Sequence, residues 1–162
     1  MLLTVLLLTL PLQPPQPLCT AAAAFLSTDR KMSAIVEADT IDDWRTRKKV
    51  VGCKITAAGG TTRGLQAEAV GFYERIRAVG WVRTPDPRDA PNEGSLRFRQ
   101  GAADCLFNVY GNAMLMTEAE DQASTARALA AGEQRYHVYV MCLPAMPAAP
   151  RDSTASSPSA RP

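Results

Sequence analysis

The chain has 162 residues, with 18 Lys or Arg against 16 Asp or Glu, 46% hydrophobic and 6% aromatic residues, 12 prolines and 4 cysteines. That length suits one domain. Between Ser33 and Leu143 there are 14 basic and 14 acidic residues, so the small positive excess belongs to the ends and the balance excludes a broad basic surface for nucleic acid.

Residues 2–12, LLTVLLLTLPL, form an apolar run shorter than the roughly 20 residues of a membrane-spanning helix and suited to the core of a secretory signal. The small residues Thr20-Ala21-Ala22-Ala23-Ala24 follow it and offer Ala-x-Ala-like cleavage sites. The expectation is export to the periplasm or beyond the cell, with residues 1–24 removed, Cys19 among them, and no stable membrane span left. No Lys or Arg precedes the run, and the alternative is a cytoplasmic chain translated from Met32. Lipidation at Cys19 is disfavoured, because Gln16-Pro17-Leu18 lacks the aliphatic and small residues of a lipobox.

Residues 25–49 read as an extended or partly ordered segment leading into a single domain over 50–143. Within this segment the basic run Arg45 to Lys49 is blunted by Asp42 and Asp43 just before it. Val50 to Thr56 is β-branched and alternating, which predicts a first strand with Val51, Cys53 and Ile55 on one face. Gly59-Gly60-Thr61-Thr62 then reads as a break with Thr61 or Thr62 capping a helix. It does not match a phosphate-binding loop, since Leu65 and Gln66 stand where Lys and Ser or Thr are needed. Leu65, Ala69, Phe72, Ile76 and Val79 recur at helical spacing and make one apolar stripe, ended by Gly80, with Trp81 placed to fold back onto the core.

Thr84 to Gly94, with three prolines, predicts an irregular loop. Ser95–Gln100 and Cys105–Tyr110 form a hairpin pattern, in which Gln100 opposite Cys105 would set Phe98 against Phe107 and Leu96 against Val109. Thr117-Glu118-Ala119-Glu120 has a capping-box pattern before an alanine-rich stretch over 118–131, which reads either as a short helix burying little area or as a mobile insertion. Tyr136–Leu143 alternates as a last strand, and matching Cys142 to Cys105 also opposes Val140 to Phe107 and Val138 to Val109. Residues 144–162, rich in Ala, Ser and Pro, predict a disordered tail. The fold class is therefore α+β, one amphipathic helix packed on a small antiparallel sheet in the order β-α-β-β-[α]-β. In element order alone it resembles cystatin-like folds. The glutamine-valine-glycine and proline-tryptophan motifs of cystatins are absent, the hairpin reading Gln100-Gly101-Ala102-Ala103-Asp104, so protease inhibition is not implied.

With Cys19 removed, three cysteines would remain. Cys105 and Cys142 are the candidate disulfide, pairing of Cys53 with either stays open, and Cys53 is otherwise the candidate free thiol. No close Cys or His pairs suggest a metal, and nothing points to a cofactor. His137, the sole histidine, falls on the outward face with Tyr139 and Met141. Arg97, Arg99, Tyr110, His137 and Tyr139 form a candidate binding face for a protein or envelope component. The functional expectation is a small exported, non-enzymatic binding or structural module of the cell envelope or extracellular space. The alternative is a small thiol-dependent enzyme or redox protein using Cys53.

Overall fold

A computed structural model of the chain describes residues 17–43, 45–84 and 94–146. The apolar run at the start, most of the proline-rich loop and the tail from residue 147 lie outside the described residues. Six strands make one antiparallel sheet in the order β1-β2-β6-β5-β4-β3: β1 Ser33–Asp43, β2 Lys48–Thr61, β3 Val82–Arg83, β4 Ser95–Gln100, β5 Ala103–Tyr110 and β6 Gln134–Pro144. The helices are α1 Thr20–Ala24, which runs into a π-helical turn at Phe25–Asp29, α2 Leu65–Ala78 and α3 Glu118–Ala126. The α+β class holds, with a sheet larger than the alternating runs alone predict.

The extra strands are the two-residue β3, which pairs with β4, and β1, which the sequence reading leaves as an extended or partly ordered segment. Of the two, β1 is the longer. It forms an edge strand paired along its whole length with β2, from Ser33 opposite Ala58 to Asp43 opposite Lys48. Most of its side chains stay partly or fully exposed, so backbone hydrogen bonds hold it and no apolar alternation marks it. For the same reason the Gly59-Gly60 break is not a break: both glycines continue β2 opposite Tyr136 and Arg135. A β-carbon on Gly59 would lie 2.8 Å from the Tyr136 ring, so glycine there admits a close aromatic neighbour.

Around β6 the register is dictated by the apolar pattern. Cys142 opposes Cys105, Val140 opposes Phe107 and Val138 opposes Val109, while on the other side Cys53 opposes Cys142 and Ile55 opposes Val140. The β4–β5 hairpin is tighter than the expected four-residue connection. Gln100 pairs with Ala103 across Gly101-Ala102, with Gly101 at a φ of 57°, so Phe98 faces Cys105 and Leu96 faces Phe107. This shift by two residues keeps every side chain on its face.

One face of the sheet carries the main core. α2 lays Phe72 and Ile76 on it, and α1 with its π-helical turn adds Ala22, Phe25 and Leu26. Phe72 meets Phe25 edge-on at 5.2 Å, and Trp81 meets Phe107 edge-on at 5.3 Å. Gly80, at a φ of 95°, turns the chain after α2 and returns Trp81 to this core. The N-cap of α2 is Gly64 without a side-chain bond, so neither Thr61 nor Thr62 caps it as predicted.

The fully buried Phe72 ring links α1, α2 and the sheet. Phe72→Ala should lower the unfolding free energy by about 3–5 kcal/mol, whereas Val82→Ala, at a side chain 65% exposed, should change it by less than about 0.5 kcal/mol. Urea unfolding with the disulfides intact measures both.

Candidate functional site

Two side-chain constellations carry chemistry. The first is the set of all four cysteines. Cys105, Cys142 and Cys53 stand in one row across β5, β6 and β2, and α1 brings Cys19 over the row. Cys105 is bonded to Cys142 at 2.04 Å and Cys19 to Cys53 at 2.08 Å. The Sγ atoms of Cys19, Cys53 and Cys142 lie within 4.8 Å of one another, and all four cysteines are buried.

Cys53 is therefore not a free thiol. Its register neighbour is Cys142, but that sulfur is already bound to Cys105, and Cys53 turns to Cys19 instead. Cys19 is buried in the core, where Ala22 of α1 and Phe25 and Leu26 of the turn after it also lie. In this oxidised state none of the sulfurs is a thiolate available to ligate a metal or attack a substrate.

The second constellation occupies the opposite face. α3 packs there against β1 and β2, and Ala119 and Ala123 are buried beneath it. Small side chains let the helix come close, and His137 is consequently buried, 2% exposed, in place of the outward surface position that alternation alone predicts. Tyr110 stacks on His137 at 5.2 Å and donates its hydroxyl to Glu120 Oε1 at 2.8 Å. Thr117 caps α3 by accepting from the Glu120 N–H. The reciprocal half of the expected capping box is replaced: the Glu120 carboxylate accepts from the backbone N–H groups of Met114, Leu115 and Met116. Burial would raise the Glu120 pKa, but the Tyr110 hydroxyl and these N–H groups outweigh it and hold the carboxyl below its ordinary 4.5.

Ser124 Oγ lies 3.0 Å from His137 Nε2. This pair lacks the acid of a catalytic triad, since Glu120, the nearby carboxylate, is engaged by Tyr110 and the backbone. Burial depresses the imidazole pKa; the Glu120 charge and the Gly111 carbonyl oppose it without prevailing.

Of the other candidate face residues, Tyr139 lies half-buried in a row with Asn108 and Thr56, and Arg97 opposes Leu106 one row further on. Arg99 pairs with Asp104, which also binds Arg45, which in turn binds Asp43 at 2.8 Å. That alternating chain ties the β1–β2 hairpin to β5 and explains why Asp43 is tolerated at 2% exposure. The five residues thus share one face, but Tyr110 and His137 lie buried at the α3 end and Arg99 is drawn into a structural ion chain.

Sequence reasoning overlooked Glu68, Arg30 and Arg135. Glu68, 4% exposed in the first turn of α2, binds Arg30, accepts from Thr61 Oγ1 at 2.7 Å and binds Arg63 at 2.9 Å. Its pKa would rise with burial, but Thr61 and the two guanidinium groups bring it below 4.5. Arg135 lies two residues from His137 on β6, with a buried Nη1 that has no hydrogen-bond partner. A long-range partner for a lone charge leaves no periodic trace, and only the two-residue spacing of Arg135 and His137 was available as a signal.

No family model, curated protein or solved structure matches this chain.

The buried carboxyls predict acid sensitivity with a definite sign. Asp43, Glu68 and Glu120 all have folded pKa values below their ordinary 3.8 or 4.5. Their contribution is therefore complete above those values and is lost as pH falls through the folded ones. His137, lowered from 6.5, acts in the same direction, since the unfolded chain takes up its proton first. The urea midpoint should fall continuously from about pH 6.5 downward and more steeply below about pH 4.5. Glu68→Gln and Glu120→Gln should each be less stable at neutral pH and show a shallower acid limb.

Proposed function

We propose that this chain is a non-enzymatic binding or structural module that works in an oxidising compartment outside the cytoplasm. The observation that carries the reading is the pair of disulfides buried side by side at the centre of the core. Such bonds persist where thiols are oxidised and are rare where glutathione and thioredoxin keep them reduced. No helix among the described residues is long and apolar enough to cross a membrane. With both disulfides formed, the thiol-enzyme alternative would have to reduce a bond that also holds α1 in place.

The reading also relocates the processing site. Cleavage within Ala21–Ala24, or translation from Met32, would remove Cys19 and much of α1 from the core. An export signal at residues 2–12 is therefore cut before Cys19.

Three measurements test this. N-terminal sequencing of the natural protein should find a mature chain that retains Cys19. Its intact mass should rise on reduction by two hydrogens for each of the two disulfides, and alkylation of the folded, unreduced protein should label no cysteine. A mature chain lacking Cys19, or alkylation of all four cysteines in freshly isolated protein, would overturn the reading. The double variant Cys19→Ser, Cys53→Ser should lose about 2–4 kcal/mol of stability, read from its urea midpoint against the parent.

A further inference from the structure

The antiparallel registers set one residue from each of five strands in a single row across the α3 face: Glu37, Lys54, Met141, Leu106 and Arg97, running from β1 to β4. All five are partly exposed. α3 closes one end of this face, over the row of His137 and Tyr110 and beside a cavity lined by Leu65, Gly111 and Ser124. The Arg45–Asp104 pair bounds the other end. Between these ends the central strands β6 and β5 keep Tyr139, Met141, Leu106 and Asn108 partly exposed, although their α2 side is buried.

Charge runs across this face with a definite sense. On the β1 side the carboxylates of Glu37 and Asp39, their side chains 41% and 37% exposed, share the one ammonium of Lys54 at 3.8 and 4.0 Å. On the β4 side Arg97 and Arg99 stand beside the single carboxylate of Asp104, which also binds Arg45. One side is therefore net acidic and the other net basic, whatever local partner each group has, with Met141 midway between them.

Such a face is complementary to itself. Facing sheets pack about 10 Å apart, a gap that Glu and Arg side chains span together. A two-fold axis between two such sheets, parallel to β6, sets β1 of one copy against β4 of the other. Glu37 then meets Arg97, Asp39 meets Arg99, and Met141 meets its own symmetry mate. An axis across the strands would set β1 against β1 and acid against acid, which repulsion opposes. Edge-to-edge pairing through β1 is opposed in the same way, since pairing about Ala38 puts Glu37 opposite Asp39.

We infer that the open part of the α3 face docks a second copy of this chain, sheet against sheet, about a two-fold axis along β6. Five strands about 4.8 Å apart make a face roughly 24 Å wide, at the small end of specific interfaces, so the dimer is a reversible one. The inference deepens the binding reading above by naming the partner, and rests on it only for there being a partner at all. Intact mass and N-terminal sequencing test that reading without reference to association.

Sedimentation of the oxidised chain from micromolar to millimolar concentration should show a reversible passage from the mass of one chain to that of two. Met141→Glu, which brings two carboxylates together on the axis, should abolish the dimer. Glu37→Arg and Arg97→Glu should each raise its Kd by about tenfold, and the double variant Glu37→Arg, Arg97→Glu should return it to within about threefold of the parent. Misfolding cannot imitate that rescue. Val51→Glu, on the α2 side of the sheet at a residue 66% exposed, should leave the Kd unchanged. Thermal unfolding establishes that each variant folds; should Arg97→Glu fail to fold, Met141→Glu and Glu37→Arg decide. A chain still monomeric at millimolar concentration, a dimer undiminished in folded Met141→Glu, or a folded double variant without rescue would overturn the inference.

Discussion

The position of Cys142 constrains most of this structure. It stands on the central strand with Cys105 on one side and Cys53 on the other, and it can bond only one of them. Taking Cys105 leaves Cys53 for Cys19, and that second bond brings α1 over the sheet. A five-residue helix of one threonine and four alanines is too short to form by itself and buries little surface. It is held by a disulfide at its start and by Phe25 and Leu26 immediately after it. The two bonds thus join β5 to β6 and the N-terminal segment to β2.

The two faces of the sheet solve different problems. The α2 face is closed by interlocking aromatic and aliphatic side chains, and its stability is a matter of packing. The α3 face buries a carboxylate, a phenol and an imidazole, and its stability depends on giving each a partner. Glu120 succeeds fully, with Tyr110 and three backbone donors, and Asp43 does so through Arg45 and Thr46. Beside α3 the buried Nη1 of Arg135 has no such partner.

Legibility in the sequence followed the size of the local signal. The β5–β6 register was readable because three large apolar pairs fall into place together, and a shift by one residue would turn all of them outward. The β4–β5 register was not, because a shift by two leaves the alternation intact and the turn at Gly101-Ala102 decides. α2 was readable from its stripe, with Phe72 and Ile76 buried as that stripe requires. Strand β1 left no such mark, since an edge strand with exposed side chains is defined by the neighbour it pairs with. The outward parity of His137 was legible, but its burial was not: a helix whose inner face is alanine looks weak in sequence yet can approach a sheet closely.

By itself the sequence determined the α+β class, the amphipathic helix, the alternating strands, and the side of the sheet on which Cys105 and Cys142 meet, because periodicity and side-chain volume are local properties. Tertiary structure alone decided which sulfur Cys53 takes, where α1 packs, and which polar groups gather at the cavity beside α3. The first of these depends on segments 34 residues apart being brought within bonding distance. Such meetings are set by the packing of the whole chain rather than by the residues next to each partner.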